Sequence, residues 1–131
     1  MTNETVLKTL TVLYAEDEGY IREIITRFLR RRVAMVYEAG NGKEGLDIYV
    51  SHKDDIDVVI TDIQMPVMDG MTMIDEILKI EGTQPIIITT AYNDEYHTSD
   101  KVCRNVIKPI NMEYLLESIL FCVGMKDSGG L

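Results

Sequence analysis

The sequence is short of basic residues and of long hydrophobic runs, and both shortages narrow what it can do. Lys and Arg number 13 against 22 Asp and Glu, for a net charge of -9. A nucleic-acid surface needs a basic footprint, so this balance argues against one. The basic cluster Arg30, Arg31 and Arg32 falls where a first helix should end, and cations there complement the helix dipole. No apolar stretch approaches the ~18 residues that would span a bilayer, so no membrane segment is expected. Met1 to Lys8 lacks the basic-then-apolar order of a secretory signal, which makes a cytoplasmic location the expectation. Cysteine is scarce as well. Cys103 and Cys122 have no metal-type spacing, and a disulfide is not expected in a reducing compartment. Cys122 sits in an apolar helical pattern as a core filler, whereas Cys103 fits either a buried or an exposed position. His52 and His97 stand apart from any second ligand and read as surface residues.

What the chain does have is alternation. Its 131 residues are enough for one domain with a real core. Short apolar runs alternate with longer segments of helical period, which argues for an α/β domain with a parallel sheet. Strands are expected near 9–15, 33–38, 57–61 and 86–89, with a fifth at Val106 and Ile107. Val58, Val59 and Ile60 form a continuous apolar run that suits a strand covered on both faces. The first helix, near 18–31, places Ile21, Ile24, Ile25, Phe28 and Leu29 at helical spacing. Further helices are expected near 43–51, 71–80 and 112–123. The polar stretch between Ala91 and Arg104 leaves room for a fourth helix of one or two turns, near 94–101. The domain is expected to span 9–123, between an N-terminal extension and a fraying tail at 124–131.

The ends of the strands hold the chemistry. The first runs into Glu16 and Asp17, the third into Asp62, the fourth into Thr90 and the fifth into Lys108. Open parallel sheets bind ligands beyond their carboxyl ends, near the point where strand order reverses. In a doubly wound sheet of order 2-1-3-4-5 that point lies between strands one and three, where the three carboxylates meet. Like charges so close disfavour joint ionisation, and a hard cation with oxygen ligands, such as Mg²⁺, resolves the conflict. A central carboxylate is also a competent nucleophile toward phosphorus. Taken singly, each residue has a plainer reading: Asp62 as a turn or cap, Thr90 as a strand former, Lys108 as a loop lysine. Four strand ends loaded together are hard to explain that way. Asp54, Asp55 and Asp57 precede the third strand and read as solvated charges at the opposite rim, and Asp69-Gly70 as a helix start.

With these residues in place, the chain resembles the receiver domain of two-component response regulators, a flavodoxin-like fold. The resemblance runs from about Thr11 to Val123. It rests on Glu16-Asp17, on Asp62-Ile63-Gln64-Met65-Pro66 with Met68-Asp69-Gly70, on Thr90-Ala91 and on Lys108-Pro109. It implies that Asp62 accepts a phosphoryl group from a histidine kinase or histidine phosphotransfer protein. It also implies that Asp17, Asp62 and the backbone carbonyl of Gln64 ligate Mg²⁺, with Glu16 acting through a metal-bound water. Thr90 would swing toward the phosphoryl group and Lys108 would pair with it, while Gln64 and Tyr92 would tune dephosphorylation. Partners beyond the kinase would be a downstream protein or an output domain outside this chain. A phosphorylation-dependent dimer is left open.

Two departures stand out. The family usually carries an aromatic residue three positions before the lysine, and here that position is Asn105. The segment between Thr90 and Lys108 is also shorter than usual, so helix four should be shortened or irregular. Competing readings remain: a receiver-like interaction module with little switching, or a Mg²⁺-dependent aspartyl-phosphate hydrolase. The hydrolase would want a second Asp two positions after the first, where this chain has Gln64.

Overall fold

The computed structural model of the protein describes residues 2–91 and 100–128. Five parallel strands form one sheet: β1 (Thr11–Ala15), β2 (Met35–Ala39), β3 (Val58–Asp62), β4 (Ile86–Thr90) and β5 (Arg104–Ile107). Their order is 2-1-3-4-5, the order expected of the doubly wound sheet. The helices are α1 (Asn3–Leu7), α2 (Gly19–Arg30), α3 (Gly42–His52), α4 (Gly70–Ile80) and α5 (Met112–Ser128).

Successive strand residues face opposite sides of a sheet, and here both sides are covered. Val12, Tyr14, Val58, Ile60, Ile87 and Val106 pack with Ile25, Leu29, Leu115 and Ile119 of α2 and α5. Leu13, Ala15, Val59, Ile86 and Ile88 pack on the other side with Tyr49, Met73, Ile74 and Ile77 of α3 and α4. The central strands bury both faces almost completely, which is why their sequences read as unbroken apolar runs. Register aligns the strand ends: Ala15 lies opposite Ala39 and Thr61, Asp62 opposite Thr89, and Thr90 opposite Ile107.

Several expectations need correction. The N-terminal extension contains α1, capped by the Thr2 hydroxyl, which accepts from the Thr5 amide. Its Leu7 is 5% exposed and joins the core, although two adjacent apolar residues, Val6 and Leu7, give no period to read. Residues 124–128 continue α5 instead of fraying. Ile24, at helical spacing with the apolar residues of α2, is nevertheless exposed. Most of the proposed fourth helix lies outside the described residues, and Asp100 and Lys101 form part of a turn. Cys103 and Cys122 are joined in a disulfide with Cα atoms 5.9 Å apart. The reason is topological. The Cys103 amide donates to the Ile86 carbonyl at the start of β4, and α5 runs back from the strand ends to that level. Cys122 is nevertheless buried in the core, as its apolar pattern suggested.

Candidate functional site

Backbone bonding carries each site residue just past its strand. The Glu16 amide donates to the Ala39 carbonyl at 3.0 Å, extending the β1–β2 ladder by one residue. The Lys108 amide donates to the Thr90 carbonyl at 2.7 Å and does the same for β4–β5. Glu16 is thereby held at 1% exposure, a burial that a carboxylate tolerates only with partners. It has them. Its Oε2 accepts from the Glu18 amide at 3.1 Å, and its Oε1 from the Lys108 ammonium at 3.0 Å. The same ammonium donates to Asp62 Oδ2 at 3.1 Å.

Lys108 therefore bridges two carboxylates brought from different strands, and residues 46 and 92 positions apart in sequence become neighbours. Carboxylate oxygens of Glu16, Asp17 and Asp62 all lie within 4.8 Å of one another. Glu16 is buried, Asp62 partly so, and Asp17 is exposed, so the cluster opens to solvent on the Asp17 side. Burial pushes the Glu16 carboxyl above the usual range. The Lys108 bond and the Glu18 amide pull the other way, and the neighbouring Asp62 charge adds to the rise. Burial works to lower the Lys108 ammonium, but its bonds to Glu16 and Asp62 outweigh that and leave its pKa raised.

Asp62 is fixed from behind. Its Oδ1 accepts from the Ile63 amide at 2.7 Å. The loop that follows is pinned at both ends: the Gly70 amide donates to the Ile63 carbonyl at 2.7 Å, and the Gly42 amide to the Met68 carbonyl at 2.9 Å. A Cβ on Gly70 would collide with the Asp62 carbonyl, so this close approach requires glycine. Between the pins the Met68 amide bonds back to the Pro66 carbonyl at 2.7 Å around Val67, whose φ is 69°. This is a γ-turn of the rarer, strained hand, on a β-branched residue that is 82% exposed. Asp69 caps α4 by accepting from the Thr72 amide, as a helix start should; that bond lowers its pKa. Gln64 lies exposed in the same loop.

Thr90 ends β4 at 6% exposure, and its hydroxyl donates to Asn105 Oδ1 at 3.0 Å. Tyr92 lies outside the described residues, as does His97. An apolar groove of about 480 Å³ opens beside Lys108, between Ile21, Ile24 and Ile25 of α2 and Pro109, Ile110 and Met112.

Arg22 was not singled out from sequence, and Asp57 and His52 were read too simply. Arg22 donates to the Glu16 carbonyl at 2.7 Å and pairs with Glu38, anchoring the chain at the site. A cation in the first turn of a helix opposes the dipole, and that was the available signal. Asp57 is not merely solvated: its carboxylate accepts from the Thr11 amide at 2.8 Å, at the far end of β1. His52 is only half-buried and stacks on Tyr37.

The receiver-domain model of response regulators matches residues 12–120. The chain is 30% identical to the chemotaxis protein CheY of Bacillus subtilis, over 82% of this chain and 92% of that protein. It is 35% identical over 65% of its length to the sensor kinase CckA of Brucella abortus, of which it spans 9%. A receiver domain from Clostridium thermocellum superposes with a TM-score of 0.84 at 30% identity, covering 90% of this chain and 97% of the other. Among the described residues, no helix is long and apolar enough to cross a membrane.

Proposed function

We propose that this chain, which belongs to the family of response regulator receiver domains, is a phosphoacceptor that takes a phosphoryl group on Asp62. The donor is a phosphohistidine on a kinase or phosphotransfer protein. The observation that carries this reading is the Lys108 ammonium held 3.0 Å from Glu16 and 3.1 Å from Asp62, beside the exposed Asp17.

In the transfer, a carboxylate oxygen of Asp62 attacks phosphorus and the N–P bond breaks. The electron pair leaves with the imidazole nitrogen, and the new O–P bond is an acyl phosphate. Positioning and charge neutralisation do most of the work in phosphoryl transfer. The Ile63 amide fixes the Asp62 carboxylate, and the close approach of Gly70 fixes the Asp62 backbone. Lys108 supplies positive charge from the β5 side, and the Thr90 hydroxyl donates to a phosphoryl oxygen. Three carboxylates with one face open to solvent form an all-oxygen donor set that fits a hard divalent cation. Asp17, Asp62 and the Gln64 carbonyl would hold Mg²⁺ directly, and Glu16 through water. Bound there, Mg²⁺ offsets the negative charge shared by the carboxylates and the incoming phosphoryl group. Gln64 and Tyr92 set how fast water removes that group.

The added charge and acceptor oxygens draw on Thr90 and Lys108, at the ends of β4 and β5, and shift the surface those strands support. The apolar groove beside Lys108 suits the apolar side of the helix that carries the donor histidine, because it adjoins the reacting carboxylate. Incubation with acetyl phosphate and Mg²⁺ should add one phosphoryl group in intact-mass measurement. The adduct should be base-labile and absent from Asp62→Asn. Labelling that persists in Asp62→Asn, or fails in the wild type with any small donor, counts against this function.

A further inference from the structure

The Thr90 hydroxyl is committed to a residue of the next strand. Ile88 lies opposite Asn105, and Thr90 opposite Ile107. Alternate residues of a strand share a face, so Thr90 and Asn105 are diagonal neighbours on one side of the sheet. Val106, between Asn105 and Ile107, turns to the other side and is buried in the core. The hydroxyl donates to Asn105 Oδ1 at 3.0 Å. Asparagine is a poor strand former, so local propensity does not account for it in a four-residue strand.

A hydroxyl has one proton to donate. Asn105 lies on the β5 side of Thr90, whereas Asp62 lies on the opposite flank, in β3. Donation toward Asp62 therefore requires Thr90 to change rotamer and release Asn105. We propose that Asn105 is a positioning residue that holds Thr90 in the resting state and competes with the phosphoryl group for the same proton. This role presupposes that Asp62 is the phosphoacceptor. A charged phosphoryl oxygen is the stronger acceptor and wins once present. The exchange breaks the Thr90–Asn105 bond on the edge strand, next to Ile107, which is 45% exposed. The state of Asp62 thus reaches the sheet edge through a polar contact.

The test is calorimetric titration of the full chain with beryllofluoride and Mg²⁺, a mimic of the acyl phosphate. Removing the competing acceptor in Asn105→Ala and Asn105→Leu should tighten binding about 2- to 12-fold. The same substitutions in a Thr90→Val background should change it less than about twofold, whereas an effect not routed through Thr90 would simply add and appear there in full. Separately, Thr90→Val should shift the side-chain amide resonances of Asn105 in protein free of any anion. Unchanged or weaker binding by the folded Asn105 variants overturns the proposal, as does equal tightening without the Thr90 hydroxyl. The amide resonances need no Asn105 variant to fold, and their failure to move overturns it as well. If the wild type binds beryllofluoride normally, these failures touch only the role of Asn105. If the wild type does not bind it, the phosphoacceptor assignment falls and this role with it.

Discussion

Replacing Lys108 with methionine keeps most of the length of the side chain and removes the one charge seen bridging Glu16 and Asp62. Each contact, at 3.0 and 3.1 Å, carries about 5 kcal/mol of gross attraction at an effective dielectric of ~20. Desolvation of the three ions takes back most of that. Breaking a fully buried pair costs about 3–5 kcal/mol, because the remaining charge is left uncompensated. Here Glu16 is 1% exposed, but the Asp62 and Lys108 side chains keep 15% and 26% of their exposure, so water screens part of the loss. Glu16 also keeps its bond from the Glu18 amide. The expected cost is therefore about 2–3 kcal/mol in a chelating buffer, a fall in Tm on the order of 10 °C. Urea unfolding of the wild type, Lys108→Met, Glu16→Gln and the double variant closes a thermodynamic cycle. With Glu16 neutral, Lys108→Met should cost at least about 1 kcal/mol less, because no buried charge is stranded. Mg²⁺ should narrow the gap between Lys108→Met and wild type, since a divalent cation held by the acidic cluster would face the same carboxylates. A Lys108→Met protein within about 0.5 kcal/mol of wild type, or an equal loss in the Glu16→Gln background, refutes the electrostatic account of this site.

Asp69→Ala should cost about 1 kcal/mol through loss of the α4 cap. The bond from the Thr72 amide lowers the folded-state pKa of Asp69, so its stabilisation is complete above the ordinary carboxylate range and lost as pH falls through the lower, folded value. Asp69→Asn should therefore lose its deficit to wild type in acid melts; a deficit that is independent of pH would show that the charge is irrelevant. Gly70→Ala should destabilise by about 1–3 kcal/mol and slow acetyl phosphate labelling, because its methyl displaces the Asp62 backbone; normal labelling would refute that coupling. Cys103 and Cys122 close a loop of 19-residue separation, so reduction should cost about 3 kcal/mol in urea unfolding, and a melt unmoved by reductant would argue against the crosslink. Ile24→Arg, on the groove beside Lys108, should slow transfer from a phosphohistidine protein several-fold while leaving acetyl phosphate labelling unchanged; equal slowing of both would place the groove outside donor recognition.

The sheet and most of the site were legible because their signals are local. A strand covered on both faces must be apolar until it emerges, so the first polar residues after β1, β3, β4 and β5 mark the rim. The order of strands then decides which ends meet. Pairings between distant segments left no such mark. Asp57 sits among exposed acids, and only the coordinates show that it accepts from the Thr11 amide, 46 residues away. The same holds for Cys103 and Cys122, whose pairing depends on how far α5 runs back along the sheet, and for Leu7, whose burial depends on where α1 lands.

Residues that break a local rule are informative here because of where they gather. Glu16 is a carboxylate at 1% exposure. Arg22 is a cation in a helix's first turn, Val67 a β-branched residue at φ 69°, and Asn105 a poor strand former inside a strand. In a sequence chosen only for stability such exceptions would be few and scattered. Glu16 is held by Lys108 and by the amide of Glu18, and Arg22 clamps the Glu16 carbonyl. Val67 lies in the loop that leads from Asp62 to Gly70, and Asn105 takes the hydroxyl of Thr90. All four exceptions thus attach to one rim of the sheet, around one carboxylate. Packing of the core does not require them, whereas a site that must gather charge, hold it still and then release a hydroxyl does.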